Sequence, residues 1–594
     1  MPTPSGRSAA GVGCDDHDNT LKGPVMTLPT DPTDTLGSAA VWGQAAGAVL
    51  SSAVELSFWG GVDPASGEVI DRHHPLSGQR LAGRILAIPG GRGSCSGSGV
   101  MLELLLNGQG PAGLVFERAE DILTLGVIVA EELFATSVPV VVLPPQSFRA
   151  LCQAGYAAIS GDRVVFADQP LECVPAPGPA PVAGAALELT AADRACLAGE
   201  QGQAAQAAMR ILVRMAGLQG ASRLMDVTQV HVDGCIYTGP GSLAFAERLR
   251  DWGGRVAVPT TLNSLSVDRR RWQAQGIDPA LGEPAARLGD AYVAMGARPT
   301  FTCAPYLLET APKLGEQVAW AESNAVVYAN SVLGARTMKY PDFLDIAIGL
   351  TGRAPCAGPH LTEHRRARVR VEVSLPSVVD DAFWPLLGYA VGGVASSRIP
   401  VVAGVAHLAP TADDLKAFGA AFATVSAAPM FHIAGVTPEA ATVEIATAGQ
   451  SVPTIALSKR DLAAAWEELN SAGDDPPDLI SLGNPHFSLT EIRALAALCQ
   501  GRQRRPEVAV VVTCGRDILD QAAAEGLTAP LEAFGVRFVT DTCWCMITDP
   551  LIPPTARVIM TTSGKYAHYG PGLTGRRFRF GSLADCVAMA CIGG

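Results

Sequence analysis

Residues 174–186 read VPAPGPAPVAGAA, and no other stretch of this chain limits its fold as strongly. Proline at every second position removes backbone donors and fixes φ, so the segment makes an extended spacer and neither a helix nor a ladder strand. The domain boundary is therefore placed there. At 594 residues the chain exceeds the roughly 250–300 residues that a single core holds, which also requires division. The expected organisation is a flexible tail over 1–40, a small domain over 41–173, the spacer, and a large domain over 187–594. The tail reading rests on its Gly, Ser, Asp, Thr and Pro content without an apolar signal region.

Composition and charge exclude several classes. With 48% apolar and 17% charged residues, the chain suits a large α/β enzyme. A net charge of -13 argues against nucleic acid as a partner, because phosphate backbones are bound by clustered Lys and Arg. The basic run Arg365-Arg366-Ala367-Arg368-Val369-Arg370 reads as a solvated or edge-strand face. A membrane span is not expected either: the apolar region 122–144 is broken by Glu131, Glu132 and Pro139. The expected location is cytoplasmic. Fourteen cysteines without a dense framework of short spacings fit a reducing compartment, with most of them buried and a few left as metal-ligand candidates.

The small domain carries short β-rich runs at 81–88, 113–117, 125–130 and 138–143, separated by Gly, Pro and polar turns. The large domain opens on a helical segment near 190–217, with Thr190 as a cap and Gly217 as a stop. Strand-like runs follow at 228–232, 255–258, 401–405, 442–446, 507–513 and 557–561. They alternate with helical stretches at 243–251, 414–423, 460–471 and 490–500. That rhythm predicts parallel α/β units, with chemistry in the loops beyond the strand carboxyl ends.

Four segments concentrate reactive groups. Pro89-Gly-Gly-Arg-Gly-Ser-Cys-Ser-Gly-Ser98 follows a strand. Its glycines admit close backbone approach, while Arg92, Ser94 and Ser96 supply a planar cation and hydroxyls, so it reads as an anion cradle or as a plain Gly/Ser turn. His231-Val-Asp-Gly-Cys235 places an imidazole, the Asp233 carboxylate and a thiol just past a strand. In Thr302-Cys-Ala-Pro-Tyr306, Pro305 stiffens a loop in which the Cys303 thiolate reaches a metal or packs in the core. Ser323, Asn324 and Arg336 interrupt the apolar stretch 321–337, where they meet a polar substrate or brace a helix start.

Together with Phe58-Trp-Gly-Gly-Val-Asp63, Gly483-Asn-Pro-His-Phe-Ser488, Asp541-Thr-Cys-Trp-Cys545 and Thr562-Ser-Gly-Lys-Tyr-Ala-His-Tyr569, these segments resemble the aconitase X family. The resemblance runs from about residue 45 to 594. It implies an aconitase-like large domain of parallel α/β units beside a small β-rich swivel-type domain, and an iron-dependent hydro-lyase acting on a small hydroxy acid. For a bacterial chain with both domains fused, the implied reaction is dehydration of cis-3-hydroxy-L-proline to 1-pyrroline-2-carboxylate. Mevalonate 5-phosphate is the alternative substrate, and an iron-responsive RNA-binding role the alternative of another class.

The resemblance implies that Ser94 or Ser96 is the base. Lys565 counts with them among the catalytic residues, Arg92 or Lys565 holds the carboxylate, and Arg92, His231, Asp233, Ser323, Asn324 and Arg336 line the substrate site. Cys235, Cys303 and Cys543 are the implied iron ligands. Of the pair Cys543 and Cys545, alternation along a continued strand lets only one face a cleft, and family position favours Cys543. Asn484 stands where relatives acting on the phosphorylated substrate are expected to carry a cysteine. That favours a [2Fe-2S] cluster over [4Fe-4S], or a single iron.

Overall fold

Apolar runs bounded by Gly and Pro become strands here when both faces are covered. A computed structural model describes residues 32–71, 74–173, 187–377 and 379–592. The spacer 174–186 and most of the predicted tail lie outside the described residues. In the small domain an eight-stranded sheet runs in the order 33–36, 163–167, 156–160, 44–51, 85–88, 113–116, 140–142 and 38–41. Its central strands Ile85–Ile88 and Gly113–Phe116 are parallel and buried at every position, as strands covered by helices on both faces must be. Pairing begins at Thr33–Leu36 and Ser38–Val41, inside the stretch expected to be tail. Thr33–Leu36 pairs with Arg163–Phe166, and Arg163 clamps Asp34 through Nη2 at 2.6 Å.

Residues 125–130, expected as a strand, lie in the helix Ile122–Phe134. The Glu120 carboxylate accepts from the backbone N–H of Ile122, Leu123 and Thr124 at 3.0, 2.8 and 3.2 Å. It thereby satisfies the orphan donors of a helix start. The helix is apolar on nearly every side because it is buried between the sheet and the large domain, which hides the 3.6-residue period. Arg210 and Arg214 of the helix Gln203–Leu218 pair with Glu132 at its outer edge.

The large domain is built around three parallel sheets, beside which Leu224–Asp226 and Arg353–Pro355 form a small antiparallel pair. The strand Val230–Val232 lies between Thr260–Leu262 and Ala319–Trp320. A second sheet is ordered 432–433, 400–403, 369–373, 454–457, and a third 536–539, 509–514, 479–487, 558–561, 577–580. The predicted class, parallel α/β units with a swivel-type domain, is the observed one. Thr190 caps its helix through a reciprocal bond with Asp193. That helix ends at Leu197, and a new one starts after Gly202, whose φ of 94° breaks the run. Residues 255–258 turn, and the strand starts only at Thr260. Residues 443–446 form a helical turn capped by Thr442. One apolar cluster joins Leu102 and Ile128 of the small domain to Leu212 and Phe343 of the large, so the two halves share a continuous core. Among the described residues no helix is long and apolar enough to cross a membrane.

Candidate active site

The Gly/Ser loop leads from the strand Ile85–Ile88 to the helix Gly97–Leu106. Gly93 has a φ of 85°, and a Cβ there would stand 2.6 Å from Ser57 Oγ, so the turn requires glycine. Arg92 is exposed and pairs with Asp71 at 3.2 Å. Ser94 is half-buried, while Ser96 is fully buried behind it. Ser94 Oγ lies 3.3 Å from Ser96 Oγ. The large domain meets this loop through Lys339, whose Nζ donates to Gly93 O at 3.2 Å, and through Asp342, whose N–H donates to Cys95 O.

Asp342 belongs to a buried group of carboxyls. Asp345 Oδ2 accepts the backbone N–H of Asp233 and Gly234 at 2.6 and 3.3 Å, and Asn263 donates to Asp233. Burial, reinforced by the charges of Glu322 and Asp345, pushes Asp233 up to about 7. Burial pushes Asp345 up to about 6 against four backbone donors. These acids share a scarcity of counter-charge, which shifts each of them toward its protonated form.

Glu322 has a different neighbour. Lys565 Nζ, on the helix Gly564–Thr574, stands 2.9 Å from Glu322 Oε1. Ala325 N and Asn324 also donate to Glu322. Burial pushes Glu322 up, yet Lys565 and these donors outweigh it and hold the carboxyl below its usual range. Asn324 continues to Cys303 O at 3.1 Å and takes a bond from Tyr306 at 2.7 Å. Arg92 and Cys95 of the small-domain loop and Lys565 all lie within electrostatic reach of Tyr569.

Cys303, Cys543 and Cys545 are neighbours, with Cys543 hydrogen-bonded to both others and Lys565 beside it. Cys303 Sγ accepts from His486 N, and Cys545 Sγ from Asn484 Nδ2, each at 3.3 Å. The structure therefore brings Cys303 and Cys543 together and adds Cys545. Alternation fails for the C-x-C pair because the strand ends at Val539 and residues 544–546 turn. Cys235 does not join them: its thiol bonds Val232 O at 3.5 Å and faces Asp345 and Asp233. Arg336 also turns away, donating to His360 O at 3.0 Å. Ser323 sits half-buried at the start of the helix Ser323–Tyr328. His231 Nδ1 lies 2.8 Å from Thr261 Oγ1, and burial takes the ring down to about 4.

Sequence reasoning missed Cys545, Lys339, Asp342, Asp345 and Tyr569 as site residues. The signal for the two aspartates was present as charges three residues apart in Tyr340-Pro-Asp-Phe-Leu-Asp-Ile-Ala-Ile-Gly-Leu350, an otherwise apolar run. Unpaired Asp is almost never fully buried, so such residues mark a site.

A swivel domain thus lays a serine loop against a catalytic-type domain whose interior holds thiols, a buried lysine and buried carboxyls. The chain belongs to the aconitase X family. Its swivel, first, second and third domains match residues 34–166, 186–363, 367–467 and 477–592. A chain named cis-3-hydroxy-L-proline dehydratase from Hypocrea jecorina is 60% identical over 94% of this chain and 95% of its own. One of the same name from Pseudomonas aeruginosa is 56% identical over 93% and 96%. Crystalline Thermococcus kodakaraensis aconitase X, in its holo-form, superposes with a TM-score of 0.61 at 31% identity, covering 68% of this chain and all of that one. Chains named phosphomevalonate dehydratase large subunit stand further off, at 39% identity or less. The relatives are dehydratases, hence hydro-lyases.

The family suggests an iron or iron–sulfur cofactor. Among the described residues no three Cys, His, Asp or Glu side chains form a ready-made coordination set. The donor chemistry nevertheless fits: three thiols hydrogen-bonded together beside a lysine suit iron, for which thiolate is a preferred ligand.

Proposed function

We propose that this protein removes water from cis-3-hydroxy-L-proline to give 1-pyrroline-2-carboxylate. The observation that carries the reading is the gathering of Lys565, paired with Glu322, beside Cys543 and its two neighbouring thiols, with Arg92 and Cys95 of the serine loop in electrostatic reach of Tyr569 on the Lys565 helix. Identity of 60% and 56% along nearly the whole chain supports this substrate. Mevalonate 5-phosphate fits less well, since its phosphate calls for several cations and Arg336 points elsewhere.

Arg92 and Lys565 hold the substrate carboxylate. Ser94, the half-buried serine facing the cleft, removes the Cα proton, and the electron pair moves toward C3 as the C3–O bond breaks. The enamine so formed takes a proton on C3 and releases its N–H proton as the double bond shifts to C2=N, which gives the cyclic imine. Cys303, Cys543 and Cys545 would hold the iron group, [2Fe-2S] or a single iron, in place of the set with Cys235. When bound, that group supplies Lewis acidity to the departing hydroxyl. Asn324 fixes Glu322 and the Cys303 backbone together, and Glu322 keeps Lys565 charged and aimed. The carboxylate and the 3-hydroxyl must be bound at the same time, so one ring stereochemistry fits the cleft.

Parallel assays of cis-3-hydroxy-L-proline, its trans isomer, citrate and mevalonate 5-phosphate test the reading. Turnover of the cis isomer at a rate well above the other three is expected. Turnover of the phosphorylated compound alone would overturn it.

A further inference from the structure

The three thiols come from two distant parts of the large domain. Cys303 lies in the stretch that matches the first aconitase X domain, and Cys543 and Cys545 in the stretch that matches the third. Two chain segments must therefore arrive together before the thiols can meet. Each arrives through a left-handed residue two places ahead of its thiol: Phe301 has a φ of 41° and Asp541 a φ of 66°. Such a φ is strained in every residue but glycine, least in Asp and most in a bulky ring, and it lasts only where the surroundings hold it. Both residues are fully buried, and both side chains meet one guanidinium. Arg516, at the start of the helix Arg516–Ala524, donates to Asp541 from Nε to Oδ1 at 2.5 Å and from Nη2 to Oδ2 at 2.6 Å. Its Cζ stands 5.1 Å from the centre of the Phe301 ring. A planar fork performs both tasks at once, with two parallel bonds at its edge and an aromatic ring against its face.

Closer to the thiols the same two segments meet at His486. Its Nε2 donates to Thr542 O at 2.8 Å, Thr302 Oγ1 lies 3.1 Å from its Nδ1, and its backbone N–H donates to Cys303 Sγ at 3.3 Å. One tie fixes the distance between two turns, and a second is needed to fix their tilt. We propose that Arg516 is that second tie, a positioning residue for the iron ligands that sets the relation of Cys303 to Cys543 by holding Phe301 and Asp541 left-handed. The inference rests on the ligand set Cys303, Cys543 and Cys545 given above. An outer partner that orients metal ligands in this way is worth about 10–100-fold in metal affinity.

Iron-loaded full-length variants, titrated against an iron chelator, provide the test. Arg516→Met alone leaves Asp541 buried without its cation, so the carboxylate is removed with it, once as Asp541→Ala and once as Asp541→Gly. The double variant with alanine should bind iron about 10–100-fold more weakly than wild type. Glycine adopts a left-handed φ freely, so the double variant with glycine should bind about fivefold or more tighter than the one with alanine. If the alanine variant does not fold, Arg516→Lys decides, since it keeps a cation for Asp541 and loses the fork and the flat face; about tenfold weaker iron binding is expected of it. Arg353→Met breaks an ion pair with Asp193 that belongs to neither turn. It should lower the unfolding temperature and leave iron affinity at the wild-type level. Wild-type iron affinity in the alanine or lysine variant, equal affinity with alanine and glycine, or a loss of affinity in Arg353→Met in step with its unfolding temperature would each overturn the proposal. Cys303→Ser and Cys543→Ser, measured in parallel, keep the two ideas apart. If they lose iron while the Arg516 variants keep it, positioning fails and the ligand set stands. If they keep their iron, the ligand set fails and the proposal falls with it.

Discussion

Glu322 and Asp342 are both buried acids of the large domain, and their surroundings drive them in opposite directions. Burial raises each. Glu322 has Lys565 at 2.9 Å and two further donors, and ends below its usual range. Asp342 has Ser96 and other acids, and ends far above it. One region of the cleft thus holds a fixed charge pair, suited to orienting a ligand. The other holds groups that keep or exchange protons. The difference arises from the partner within reach and not from depth, since both side chains are almost fully buried.

Removing the cation breaks the comparison most severely. Lys565→Ala leaves Glu322 buried without its counter-charge, which costs about 3–5 kcal/mol. It also removes the cation from the cleft. Activity should fall to the limit of detection, with a lowered unfolding temperature in a thermal melt. The neutral isostere Glu322→Gln in the same background should restore part of the stability and none of the activity.

The thiols provide the next test. Cys545→Ser should lose most of the iron found in wild type by metal analysis, whereas Cys235→Ser should keep it. An equal loss of iron in both variants would return Cys235 to the ligand set. A smaller effect follows from Asp233. Its folded pKa, about 7, lies above the unfolded value of about 3.9, so the folded chain holds a proton that the unfolded chain has released. Stability therefore falls as pH rises through this window and levels off above 7. Asp233→Asn mimics the neutral acid and lacks this loss. Its unfolding temperature relative to wild type should rise by about 2 °C or more between pH 5.5 and 8. The smallest effect expected is for Arg336→Ala, which removes a bond to the His360 carbonyl. kcat/KM should stay within about twofold, and stability should drop by about 1 kcal/mol.

The parts of this molecule legible in its sequence are those governed by short-range rules. Thr190 with Asp193 announces a helix start, and the Gly/Ser loop announces a close backbone approach. The helix Ile122–Phe134 was hidden because its LGVIVA segment is covered on nearly all sides, and an apolar run without period looks the same in a strand. Cys235 looked like a ligand because it follows a strand. The turn after the strand, with Tyr292 and Phe343 against Gly234, leaves the thiol facing Asp345 and Asp233. Cys545 was set aside by strand alternation, a rule that lapses once the chain curls at Trp544. Lys339 and Asp342 belong to no motif, because their significance lies in a loop some 250 residues away in sequence.

The contacts of Lys339 and Asp342 with the serine loop make the candidate site depend on a meeting between two halves of the chain. Residues 174–186 tether those halves, so each keeps the other at an effective concentration of about millimolar, whatever the protein's abundance. Assembly of the base is thereby independent of dilution. A catalyst made of the same parts on separate chains would lose its base whenever its concentration fell below the dissociation constant of the pair.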